Sequence, residues 1–112
     1  MTVYVVQQQM RFDKEKREMV PRFPSISRAE SWGTLEYLLS PSAHPFHPEL
    51  VLGDLHKALK DFSDEDYLLL IGNPCLIGMA TCVAAHYNAG RVNFLQWSAR
   101  ENEYTIIKSE MY

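Results

Sequence analysis

Tyr67-Leu68-Leu69-Leu70-Ile71-Gly72-Asn73-Pro74 joins an uninterrupted apolar run to a tight turn. Such a run arises when a strand is covered on both faces, as a central strand of a parallel sheet is. Gly72 frees the backbone, the Asn73 side chain can cap a helix, and Pro74 is preorganised for the first helical position. The expected helix runs from Pro74 to about Asn88 and ends at Gly90. It carries almost no charge, and Cys75, Leu76, Ile77, Met79, Cys82, Val83, Ala84 and Ala85 wrap most of its surface. A helix apolar nearly all round is expected to be buried on more than one side or to sit in a subunit interface. Strand, turn and helix in this order are half of a parallel crossover unit, which makes the fold class α/β.

The flanking segments extend the pattern. Upstream, Pro48 can open a helix in which Val51, Leu55, Ala58, Leu59 and Phe62 form one stripe, with Glu49, Asp54, Lys57 and Lys60 opposite. Ser63–Asp66 stops it. Thr34–Leu39 places Leu35, Tyr37 and Leu39 on one side of a strand, although a helix continuing through Gly33 to Leu39 competes with that reading. Ser27-Arg28-Ala29-Glu30 has capping-box spacing and predicts a short helix ending near Gly33. Thr2–Phe12 alternates with a period of two and reads as one long strand whose glutamines leave the core in its second half. Asp13–Glu18 and the two prolines that follow predict an exposed connection. Downstream, Arg91–Ser98 and Tyr104–Lys108 are expected to form an antiparallel hairpin. With right-handed crossovers, the chain becomes a single α/β domain over residues 1–112. Its sheet is mixed and mainly parallel, of about five strands, with a C-terminal antiparallel hairpin and helices packed on it.

The 112 residues allow one domain, and 46% hydrophobic with 22% charged residues excludes a disordered segment. Eleven basic against fourteen acidic residues give a net charge of −3, which lacks the positive field of a phosphate-backbone binder, so nucleic acid is not the expected partner. No apolar run approaches the roughly 18 residues of a membrane span, and Gln7-Gln8-Gln9 is no signal sequence, so no membrane association and a cytoplasmic location are expected. Cys75 and Cys82 are expected to be free thiols, since an i, i+7 helical spacing separates them by roughly 10 Å.

In open α/β sheets ligands bind at the carboxyl ends of the strands. Those ends contribute Ser40, Ser42, His44 and His47, then Gly72, Asn73 and Cys75, then Ser98 and Arg100. The candidate ligand-binding set is Gly72, Asn73, Cys75, His44, His47 and Ser98, with the helix amino terminus favouring an anion. The turn matches no phosphate-binding motif, however, and Pro74 removes a donor. Cys75 is the sharpest nucleophile candidate, with His44 or His47 as base, set against the reading that it and Cys82 are small buried hydrophobes. His44, His47, His56 and His86 match no strong metal spacing, so no metal, no cofactor and no catalytic residue is assigned. Glu49, Asp54, Asp64, Glu65 and Asp66 read as a solvated face or caps, and Lys14, Lys16, Arg17 and Arg22 as a loop diluted by neighbouring acids. Trp32, Tyr37, Phe46, Tyr87, Phe94, Trp97, Tyr104 and Tyr112 exceed what so small a core hides comfortably, which predicts a homodimer.

Asp66–Pro74, the Ala-containing helix, Gly90, Leu95-Gln96-Trp97 and Tyr104 resemble short uncharacterised proteins of marine bacteriophages, over about the last half of the chain. The resemblance implies a viral or environmental origin and no chemistry. The expected function is that of a non-enzymatic interaction protein acting on a host or viral protein. A small-ligand or anion-binding module at Gly72–Cys75 is the alternative.

Overall fold

The computed structural model describes all 112 residues. The chain runs through β1 (Thr2–Gln7), β2 (Met10–Asp13), β3 (Glu18–Pro21), a 3-10 helix (Pro24–Trp32), β4 (Thr34–Leu39), α1 (Pro48–Leu59), β5 (Tyr67–Leu69), α2 (Pro74–Tyr87), β6 (Arg91–Ser98) and β7 (Glu103–Glu110). One sheet has the order β4-β1-β5-β6-β7, parallel except for the β6–β7 hairpin. The expected mixed, mainly parallel five-stranded α/β domain is what the chain forms.

The two faces of β1 feed two cores. Tyr4 and Val6 pack with Leu55 and Leu59 of α1 and Leu76, Ala80 and Val83 of α2, whereas Val3 and Val5 pack with Ile26 and Ala29 of the 3-10 helix. The chain leaves β1 toward β4 by way of the 3-10 helix on one face, then returns past β1 to β5 by way of α1 on the other. Reversing direction and face together keeps both crossovers the same hand. The strand order therefore reverses between β1 and β5, whose carboxyl ends form the crevice where open α/β sheets place their ligands.

Several expectations are corrected. Thr2–Phe12 is not one strand: β1 stops at Gln7, and Met10–Asp13 pairs antiparallel with Glu18–Pro21 in a separate two-stranded sheet. Period-two alternation continues through both strands, so hydropathy alone cannot show the break. The expected exposed connection is accordingly half strand, closed by a turn over residues 14–17, with Arg17 at φ 52 and the Asp13 carboxylate accepting from the Glu15 and Lys16 amides. Ser27 caps no helix. The 3-10 helix begins at Pro24, and Ser27 Oγ donates back to the Pro24 carbonyl. Gly33 after it is required by close approach, since a Cβ there would stand 2.7 Å from the Met1 carbonyl oxygen. β5 ends at Leu69, and Leu70 is exposed.

Two carboxylates hold the amino edge of the sheet. Asp66, expected on a solvated face or as a cap, is buried, and it accepts from the Thr2 amide and from the amide and hydroxyl of Ser63. Exposed Asp64 accepts from Asn88 and Arg91 at 2.8 and 3.0 Å. The Asn88 hydrogen bond first, then Arg91, lowers the Asp64 carboxyl below its ordinary range, and the Lys16 and Glu15 amides do the same for Asp13. A depressed folded value stabilises above the unfolded value and is lost as pH falls through the folded one. Melting temperature should therefore stay level through neutral pH and fall only below about pH 4, and Asp64→Asn should flatten part of that acid limb in a thermal-melt series.

Candidate functional site

Gln7 ends β1 at the point where the strand order reverses, and its side chain fills that crevice. It is 3% exposed. Its Nε2 donates to the Ser40 and Ala43 carbonyls at 3.1 and 2.9 Å, and more weakly to Pro41 at 3.4 Å, while its Oε1 accepts from the Asn73 amide at 2.9 Å. The Gln7 amide donates to the Ile71 carbonyl and the Gln8 amide to Leu39. One amide side chain thus ties the loop after β4 to the turn after β5. Gly72 makes room for it: φ is +133, and an added Cβ would lie 2.6 Å from the Gln7 Cβ.

The α2 amino terminus forms as the sequence predicts. Asn73 Oδ1 accepts from the Cys75 and Leu76 amides, the Ile77 amide donates to the Asn73 carbonyl, and Pro74 has no N–H to offer. Every donor of this first turn is used within the chain, so the geometry favours a cap over an anion site. Millimolar inorganic phosphate is expected to leave the Cys75 and Leu76 amide resonances unmoved; saturable shifts at both would restore the anion reading.

Of the candidate set, Gly72, Asn73 and Cys75 share one turn. No hydrogen bond joins His44 or His47 to Cys75. Their rings lie tilted by 58° to each other with centroids 5.6 Å apart, in an exposed loop. Ser98 lies at the end of β6, where its Oγ accepts from the Glu101 amide. The readings of Cys75 and Cys82 as buried hydrophobes are overturned, since both thiols are exposed. At 100° per residue, Leu76, Ala80, Val83 and Ala84 take the inner side of α2 and leave Cys75, Gly78 and Cys82 outside. The helix is therefore apolar without being enclosed. Native-state titration with a disulfide reagent should modify both cysteines completely, whereas modification of only one would place the other within a closed interface.

His56 Nδ1 lies 2.7 Å from the Tyr87 hydroxyl, bridging α1 to α2, with the His86 ring 5.9 Å away. No three His, Cys, Asp or Glu side chains converge as a metal would require. No helix is long and apolar enough to cross a membrane.

Two surfaces went unseen in the sequence. On the face carrying the 3-10 helix, a groove of about 320 Å³ opens beside β5 and β6, lined by Phe23, Ser25, Leu69, Leu70, Ile71, Leu95, Gln96, Trp97 and Tyr104. Tyr104 anchors its floor: the hydroxyl donates to the Ser25 carbonyl, and burial raises its pKa. The other surface is the β2–β3 arm. Register puts Met10 opposite Pro21 and Phe12 opposite Met19, so all four share one apolar face, with Phe12 and Met19 57% and 56% exposed. The molecule measures 47 × 36 × 21 Å, with a radius of gyration of 14.2 Å against roughly 13 Å for a compact chain of this length.

These features define a small doubly wound α/β protein with its own glutamine in the customary ligand crevice and an apolar arm beside it. The chain belongs to the Phage Pam3 gp32-like protein family, whose model matches residues 1–111. The phage relationship therefore spans the whole chain rather than its C-terminal half. Compared with curated proteins and with solved structures, the chain finds no match in either.

Proposed function

We propose that this phage protein is a non-enzymatic interaction protein that works in the host cytoplasm by docking a protein partner with its β2–β3 arm. The observation that carries this reading is the exposed Phe12–Met19 pair on a ribbon hydrogen-bonded to no other strand. An isolated two-stranded hairpin is marginal in water, and covering one such side chain is worth about 1.5–3 kcal/mol, so a partner would order the arm and gain affinity together. The plugged crevice at Gln7 supports a role in binding macromolecules over small-molecule chemistry.

The test is a Phe12→Ser/Met19→Ser double variant used as bait in infected-cell extract. Because the arm is a ribbon apart from the main sheet, the variant should still fold and melt cooperatively while recovering at least tenfold less of each specific partner. Equal recovery by both baits would remove the arm from the interaction.

A further inference from the structure

We propose that the arm of one copy seats in the apolar groove of a second copy, and the second copy's arm in the first, giving a two-fold, arm-exchanged dimer. This rests on the arm being the docking element, and it names a partner for it.

Three observations select a second copy of this chain. The first is chemical fit. The arm carries exposed Phe12 and Met19 on one face, and the groove offers Phe23, Leu70, Ile71, Leu95, Trp97 and Tyr104, with a volume of about 320 Å³, in the size range of ligand sites. The second is placement. The arm's base, Met10 and Pro21, lines a small pocket together with Phe23 and Ile71, which also line the groove, so arm and groove share one edge of the molecule. Two residues of strand carry the exposed pair roughly 7 Å beyond that base. An arm rooted beside its own groove allows both reciprocal contacts to form on one edge about a two-fold axis, the closed arrangement commonest among small oligomers. The third is charge. Arg11, Lys14, Lys16, Arg17 and Arg22 against Asp13, Glu15 and Glu18 give residues 10–22 a charge of +2, and since the chain carries −3, the remainder carries −5. Each arm therefore approaches a body of opposite sign.

The experiment measures mass by native mass spectrometry and light scattering across the micromolar range for three proteins. The wild type should be a dimer. Phe12→Ser/Met19→Ser, with an intact groove, and Leu70→Arg, with an intact arm and a blocked groove, should each be monomeric while melting cooperatively. Should Leu70→Arg fail to fold, Gln96→Arg, exposed on the same wall, replaces it. Mixed in equal amounts, the two monomers should form a heterodimer, because one arm-in-groove contact is regained, with affinity at least tenfold below the wild type. A monomeric wild type, an arm variant that remains dimeric, or monomers that fail to associate on mixing would each overturn the exchange. A monomeric wild type whose arm variant still loses its partners from infected extract would overturn only this pairing and leave the proposed function standing.

Discussion

Gly72→Ala is expected to cost about 3 kcal/mol and to lower the melting temperature by roughly 12 °C or more. Two causes act at one atom. At φ +133 an L side chain is strained wherever it sits, and the new Cβ would meet the Gln7 Cβ at 2.6 Å. The Gln7 Cβ is fixed by β1, which pairs on both sides, so it cannot swing away as the end of a flexible side chain would. Either the turn lifts off β1, breaking the Asn73 amide to Gln7 Oε1 bond, or the carboxyl end of β1 shifts from β5. Denaturant unfolding should show a lower midpoint at unchanged slope, since the surface exposed on unfolding is the same. A loss below 1 kcal/mol would mean that the turn has another conformation available and that the crevice can open.

What the sequence showed and what it hid divide along a physical line. Elements whose signal is local were legible. The strand at the start of the Tyr67–Ile71 run, the Asn73 cap, the Pro48 and Pro74 helix starts and the β6–β7 hairpin all follow from neighbouring residues and appear in the fold, although the strand ends at Leu69 instead of Ile71. Features set by contacts far apart in the chain were not. Gln7 meets Ala43 and Asn73 across 36 and 66 positions, and Asp66 meets Thr2 across 64, so nothing beside either residue marks it as buried. A polar residue closing the buried run of Val3, Tyr4, Val5 and Val6 was the one available hint, and it reads equally well as a strand emerging into water. The Cys82 error has a different origin. Composition made α2 look buried on more than one side, but only one side of a helix can lie on a sheet, and the thiols fall on the other.

The charge state at the plugged crevice offers a sharper probe than simple removal. Gln7→Leu leaves the Ser40 and Ala43 carbonyls without their donor and the Asn73 amide without its acceptor, at a cost of about 2–3 kcal/mol, partly relieved where water reaches the exposed loop. Gln7→Glu keeps the shape and, when ionised, keeps an acceptor for the Asn73 amide. It turns a carboxylate toward carbonyl oxygens that previously received an N–H. Burial and those oxygens both disfavour the charge, so the introduced carboxyl should have a folded pKa above its unfolded value. A raised carboxyl pKa means that folding takes up a proton, and stability then grows as pH falls through the folded value and is complete below the unfolded one. The protonated acid can again donate to Ser40 or Ala43 and accept from Asn73. Gln7→Glu should thus be less stable than the parent at pH 7 and recover on mild acidification, over the range in which the parent's own stability is still level. The paired melting curves report whether Nε2 or Oε1 of Gln7 holds the crevice shut. Equal pH dependence in the two proteins would mean that neither atom is decisive and that Gly72 packing alone closes the crevice.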